Sequence, residues 1–155
     1  MTFEARPHHL FSARYDLSSG DRPVCTLELE WFRSRGRFSL DGREYRVLAR
    51  GWTSGAFTLE TEDRELASAE RSSFLPLGYR VRVEDRWLEL RAPGLSRRFT
   101  VLHGDRPVGS IRPRQLFSRV AVVEGADAVP LPVRVFLLAV VLLRWRRRAR
   151  ASAGG

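Results

Sequence analysis

The chain has 155 residues and a hydrophobic fraction of 43%, which suits one folded domain and excludes a disordered chain. A mean hydropathy of -0.28 excludes a protein with many membrane spans. The net charge is +9, and every one of the 27 basic residues is arginine. Codon bias alone would explain the absence of lysine, but the size of the charge predicts an anionic partner, either nucleic acid or lipid.

Cys25 is the only cysteine, which excludes an internal disulfide and a cysteine-based zinc site. Cys25 lies in an alternating apolar stretch, so we expect a small buried hydrophobic residue. The N-terminal segment carries Glu4, His8 and His9 and lacks the apolar run of a signal peptide. We therefore expect a cytoplasmic protein, peripheral at a membrane if its partner is lipid.

A turn signal recurs about every 21 residues along the chain. Aspartate stands between apolar stretches at intervals of 20 to 22 residues, often followed by arginine or glycine. Aspartate and glycine favour tight turns because they tolerate left-handed backbone conformations. This period predicts two strands and two turns in each repeat. The aspartates are Asp21, Asp41, Asp63, Asp85, Asp105 and Asp127.

Alternation between the turns predicts strands with one apolar and one polar face. In residues 79–84, for example, Tyr, Val and Val alternate with Arg, Arg and Glu. We predict a mainly β fold, an antiparallel meander curled into a barrel of about 11–12 strands, in one domain over residues 1–148. The predicted strands are 10–16, 24–31, 36–40, 43–50, 56–62, 65–70, 78–84, 87–91, 97–102, 107–111 and 117–123.

The last part of the chain predicts a helix. Pro130 and Pro132 are typical of a helix start, and residues 135–143 are an unbroken apolar run. A helix with no polar face must be surrounded on all sides, so we expect it inside the barrel. A membrane span over residues 131–145 is the alternative, although a span needs about 20 apolar residues. Residues 144–150 carry five arginines, and residues 149–155 are expected to be a flexible tail.

Three segments resemble the tubby C-terminal-like superfamily, which includes the phospholipid scramblases and the LURP-one-related proteins. They are Arg-Phe-Thr-Val at 98–101, Gly-Asp-Arg-Pro-Val-Gly-Ser-Ile at 104–111, and the apolar segment 131–145. The resemblance covers roughly residues 74–148. It implies a closed barrel of about twelve strands around a buried helix, and binding of anionic lipid headgroups. No headgroup-binding residue of tubby matches a residue of this chain.

In an up-and-down meander alternate turns lie at opposite ends, which predicts a polarity of charge. The aspartate turns gather at one end with Glu62, Glu84 and Glu124, and the arginine-rich turns gather at the other. If the helix starts at the aspartate end, its arginine tail emerges at the arginine end. The predicted anion-binding residues are Arg33, Arg35, Arg37, Arg50, Arg71, Arg97, Arg98, Arg112, Arg114, Arg144, Arg146, Arg147 and Arg148.

Apolar residues within the arginine-rich turns suggest contact with a membrane. The predicted contacts are Trp52, Phe74, Leu75 and Trp145, although Phe74 and Leu75 could instead plug the barrel mouth. We therefore expect a domain without enzymatic activity that docks on anionic phospholipid headgroups. A nucleic-acid-binding domain, a protein adaptor, and a merely solvated arginine tail are the alternatives.

The sequence contains no catalytic, nucleotide-binding or metal-binding motif that we recognise. His8 and His9 are adjacent and would point to opposite faces of a strand, so they make a poor metal pair. His103 precedes Gly104 and Asp105 and is expected to lie at a turn. We therefore predict no enzymatic activity, no cofactor and no metal.

Overall fold

The computed structural model describes residues 1–9, 13–50, 55–72, 78–93, 96–116 and 118–154. In the C-terminal helix, side chains are described as far as Ala149. Consecutive antiparallel strands form a closed barrel of twelve strands, and one helix follows them, which confirms the predicted fold class. The strands are β1 Phe3–Pro7, β2 Arg14–Ser19, β3 Arg22–Glu30, β4 Arg35–Leu40, β5 Arg43–Arg50, β6 Ala56–Thr61, β7 Arg64–Arg71, β8 Gly78–Val83, β9 Arg86–Arg91, β10 Phe99–His103, β11 Arg106–Pro113 and β12 Ala121–Gly125, and the helix is α1 Leu131–Gly154.

Strand β1 closes the barrel and is the strand that the sequence analysis missed. It pairs with β12 on one side and with β2 on the other, so that Ala5 lies opposite both Ala121 and Leu17. Phe3 and Ala5 are fully buried. Phe-Glu-Ala-Arg does alternate between apolar and polar residues, but a run of four residues that ends at a proline is too short to predict a strand by itself. The first predicted strand, 10–16, corresponds to β2, which begins later.

The aspartate turns lie together at one end of the barrel, as predicted. They join β2 to β3, β4 to β5, β6 to β7, β8 to β9, and β10 to β11. Asp41 and Gly42 have φ angles of 50° and 77°, and those of Glu62 and Asp63 are 49° and 63°. Two successive residues with positive φ match the right-handed twist of the strands they connect, which explains these two-residue hairpins.

Helix α1 fills the barrel. Every residue from 135 to 143 is at most 6% exposed, and the side chains around it come from the inner faces of the strands. An eight-stranded barrel is filled by its own side chains, so twelve strands leave room for a helix. Within the described residues, no helix combines the length and apolar character needed to cross a bilayer. The segment 131–145, for which a membrane span is the alternative, packs inside the barrel.

The chain turns into the barrel just after β12, where the backbone of residues 125–126 lies close to that of β11. A side chain at Gly109 would meet the Glu124 carbonyl oxygen at 2.7 Å, and Gly125 has a φ of +69°. The backbone N–H of Ala126 donates to the carbonyl oxygen of Val108 at 2.6 Å. Glycine at these two positions therefore lets the chain leave the wall and turn inward.

Helix α1 extends beyond its buried segment at the C-terminal end. The sequence predicts a flexible tail over residues 149–155, whereas the backbone is helical as far as Gly154. Alanine and arginine are strong helix formers, so the helix that starts in the barrel continues through them.

The enclosure of α1 makes a direct prediction about stability. Phe136 is fully buried, so Phe136→Ala is expected to lower the free energy of unfolding by about 3–5 kcal/mol. Phe32→Ala is the matched control, because Phe32 is 88% exposed; its cost is expected to be about 0.5 kcal/mol or less. Urea unfolding followed by circular dichroism measures both values. Equal losses for the two variants would contradict the enclosed helix.

Candidate functional site at the basic end

The barrel has two ends of different charge. The acidic end consists of the aspartate turns and Asp127, which follows β12. The basic end consists of the described parts of the opposite connections, the strand ends beside them and α1 from Arg144 onward. The described connection residues are 8–9, 13, 31–34, 55, 72, 92–93, 96–98, 114–116 and 118–120. The predicted separation of the two kinds of turn is therefore correct.

Helix α1 runs from the acidic end to the basic end. Near its start, Arg134 is buried; its Nε donates to the carbonyl oxygen of Val129 at 3.0 Å, and its Nη1 lies 3.7 Å from an Asp127 oxygen. Near its exit, the Trp145 indole N–H donates to the carbonyl oxygen of Arg97 at 3.1 Å. The arginine-rich part of the helix thus emerges among the arginine-rich connections.

The structure places Trp145, one of the predicted membrane contacts, in the mouth of the barrel, where its side chain is nearly buried. Its side chain is 9% exposed, and the Arg97 guanidinium lies 4.6 Å from the centre of its ring. Trp145 follows Val141 by one helical turn and therefore stays on a face that the barrel covers. In the sequence, a tryptophan among arginines suggests a membrane interface. In the structure, Trp145 closes the barrel mouth around the emerging helix.

The helix exit concentrates positive charge. Burial lowers the pKa of Arg97, and the charge of Arg148 lowers it further. Burial likewise lowers the pKa of Arg144; Tyr79 partly opposes this effect, and the charges of the neighbouring arginines lower the pKa further. No described carboxylate forms an ion pair with Arg71, Arg97, Arg144, Arg146 or Arg147. Repulsion therefore acts on Arg97 from Arg148, and on Arg144 from Arg71, Arg147 and Arg148, and an anion bound beside them would relieve it.

Other predicted anion-binding arginines are engaged by carboxylates. Arg37 and Arg112 lie on the outer wall within strands, and the remaining three lie at strand ends or just beyond. Their charges are matched within the barrel wall, so they contribute less to an anion site. The pairs are Arg35 with Glu30 at 3.0 Å, Arg37 with Glu28 at 2.8 Å, Arg50 with Glu65 at 2.6 Å, Arg112 Nε with Glu124 at 3.0 Å, and Arg114 with Glu4 at 3.8 Å.

Two exposed apolar side chains at the basic end escaped the sequence analysis. Phe32, in the β3–β4 connection, is 88% exposed, and Leu116, between β11 and β12, is 77% exposed. Arg33 and Arg98 are also exposed in this region. An apolar residue inside a predicted arginine-rich turn was the available signal for Phe32. The predicted contacts Trp52, Phe74 and Leu75 lie outside the described residues.

The histidines and the cysteine form no catalytic arrangement in the described part of the chain. His8 Nδ1 lies 3.1 Å from an Asp16 oxygen at an exposed position, and His103 is exposed beside the turn that follows β10, as expected. No three metal-ligating side chains come together among the described residues. Cys25 is only half-buried, rather than buried as predicted, yet burial raises the pKa of its thiol to about 11.

Comparison with known proteins adds no relative. No family model, no curated protein and no solved structure matches the chain.

The position of Trp145 predicts a structural role that stability measurements can detect. Trp145→Ala is expected to lower the free energy of unfolding by about 3–5 kcal/mol, because a large ring leaves the barrel mouth. Trp145→Phe keeps most of the ring but loses the N–H donor, so the expected loss is about 1 kcal/mol. Urea titration of both variants checks the order. If both variants were as stable as the unaltered protein, the burial of Trp145 in the barrel mouth would be contradicted.

The raised pKa of Cys25 predicts that its thiol reacts slowly with alkylating reagents. Only the thiolate is nucleophilic, and at pH 8 a pKa of about 11 leaves far less thiolate than the ordinary value of 9.0. Alkylation by iodoacetamide should therefore be about 100-fold slower in the native protein than in urea. Because Cys25 is the only cysteine, the intact mass reports this site directly. Similar rates in both conditions would show that the native thiol is not perturbed.

Proposed function

We propose that the protein docks on anionic phospholipid surfaces through its basic end. The observation that carries the proposal is the position of the exposed apolar side chains. Among the described residues, the two most exposed large ones, Phe32 and Leu116, both lie at the basic end, and each is more than three-quarters exposed. An apolar side chain beside arginines suits a surface that is charged at the headgroups and apolar beneath them.

The charge at the helix exit supplies the second part of the proposal. Each arginine near an anionic surface contributes about 1 kcal/mol of attraction. Arg33, Arg98 and Arg147 are exposed and can face such a surface directly. The half-buried Arg97 and Arg144 add to the potential, although burial limits their direct contact.

The packing of the barrel also favours a surface function. Helix α1 occupies the interior where many β-barrels hold a small ligand, and residues 135–143 are enclosed on all sides. The relation to the tubby C-terminal-like superfamily remains a prediction, which the twelve-stranded barrel around a C-terminal helix supports.

Sedimentation with vesicles tests the proposal. We expect binding to vesicles that contain phosphatidylglycerol and none to phosphatidylcholine alone, with weaker binding in high salt. Phe32→Ala and Leu116→Ala should each weaken binding about tenfold, because burying such a side chain contributes about 1.5–3 kcal/mol. Arg33→Gln and Arg147→Gln should each weaken it about fivefold, the equivalent of about 1 kcal/mol.

Trp87→Ala is the matched control for the apolar substitutions. Trp87 is 46% exposed but lies in β9 beside an acidic-end turn, so its loss should leave vesicle binding unchanged. Absence of binding to anionic vesicles at low salt would refute the proposal. An equal effect of Trp87→Ala and Phe32→Ala would refute the assignment to the basic end.

Nucleic acid is the second candidate partner, and one observation favours it. The Arg80 guanidinium lies 4.6 Å from the centre of the Trp87 ring, and that of Arg82 lies 5.9 Å from it, on the outer wall. Stacked arginine and tryptophan can receive a base. Glu89 lies opposite Arg80 in the register, however, and places a carboxylate on the same surface. Loss of single-stranded oligonucleotide binding in Trp87→Ala would support this alternative.

A further inference from the structure

The basic end contains two buried N–H donors that have no described acceptor. They are the indole nitrogen Nε1 of Trp31 and the Nε of Arg146, and the described part of the chain contains only one other such side-chain atom. The two belong to one site, because the Arg146 guanidinium lies 5.4 Å from the centre of the Trp31 ring. Buried donors without acceptors are rare and costly, so a shared location indicates an acceptor that comes from outside.

Tyr15 connects this pair of donors to further positive charge. Its ring meets that of Trp31 edge to face, with 6.3 Å between the centres. Burial raises the pKa of Tyr15, whereas the charges of Arg146, Arg119 and Arg97 lower it, so three guanidinium groups lie within electrostatic reach of the hydroxyl. Arg97 is itself fixed, because its carbonyl accepts from Trp145 and its guanidinium lies over that ring.

We propose that Trp31, Arg146 and Arg97, with Tyr15 packed against the Trp31 ring, form a seat for a phosphate monoester at the mouth of the barrel. A phosphate monoester carries close to two negative charges and three terminal oxygens. One oxygen would accept from the Trp31 indole, another from Arg146 Nε, and the charge of Arg97 would balance the remainder. A phosphodiester has one charge and only two unbridged oxygens, so it satisfies this set less well.

The seat specifies which anionic group the basic end would prefer. It depends on the proposed membrane docking only if the phosphate belongs to a lipid. The monoester can be the headgroup of phosphatidic acid in a membrane or a small phosphate ester in solution. The donors come from the end of β3, the exit of α1 and the β9–β10 connection. Docking of the whole basic end needs only charge and apolar contact, whereas the seat distinguishes a monoester headgroup from a diester headgroup when the total surface charge is the same.

Vesicles of phosphatidic acid and of phosphatidylglycerol, matched in total surface charge, test the preference. We expect binding to phosphatidic acid to be about tenfold tighter, as one added charge-assisted hydrogen bond predicts. Glycerol 3-phosphate should bind in calorimetry and should remove this preference. Equal binding to the two vesicles, together with no calorimetric binding of glycerol 3-phosphate, would overturn the seat.

Two variants on different elements locate the site. Trp31→Phe keeps an aromatic ring without the N–H donor, and Arg146→Gln removes the guanidinium; each should abolish the preference for phosphatidic acid. Arg147→Gln is the matched control, because it removes an equal charge from an exposed neighbour and should weaken binding to both vesicles alike. If either Trp31→Phe or Arg146→Gln fails to fold, the other still tests the seat. Loss of preference in Arg147→Gln as well would contradict the assignment.

The outcomes separate the two proposals. Binding to phosphatidylglycerol vesicles without preference for phosphatidic acid, and without glycerol 3-phosphate binding, would leave docking in place and refute the seat. Binding of glycerol 3-phosphate without binding to either vesicle would support a site for soluble phosphate esters and refute membrane docking.

Discussion

The enclosure of an apolar helix is the constraint on which the structure depends. Residues 135–143 have no polar face, and water would contact any side of α1 that the barrel left open. A closed sheet satisfies this requirement because it surrounds the helix and leaves no unpaired strand edge. Strand β1 is therefore essential despite its five residues, since its pairing with β12 completes the wall.

The same helix determines where charge accumulates. It enters at the aspartate turns and leaves at the opposite end, so the arginines that follow its apolar segment must join the arginines of the connections. Burial lowers the pKa values of both Arg97 and Arg144, and repulsion from Arg148 lowers them further. A surface whose positive charge is not balanced within the fold attracts an anionic partner.

Both proposals follow from a filled interior. With α1 inside the barrel, ligands are left to the rims and the outer wall, and the basic rim combines exposed Phe32 and Leu116 with the helix exit. The proposed membrane docking would use the exposed part of this rim. The proposed phosphate seat would use its buried part, where Trp31 and Arg146 hold donors without described acceptors.

The sequence by itself determined the strand rhythm, the hairpins at Asp41 and Asp63, and the burial of residues 135–143. These follow from local turn chemistry and from an unbroken apolar run, which act over a few residues. Tertiary structure alone decided that Phe3–Pro7 closes the barrel, that Trp145 is buried beside Arg97, and that Phe32 is exposed. Tertiary structure also brought Tyr15, Trp31 and Arg146 together. Such contacts join distant parts of the chain, and only closure of the sheet around the helix specifies which surfaces meet.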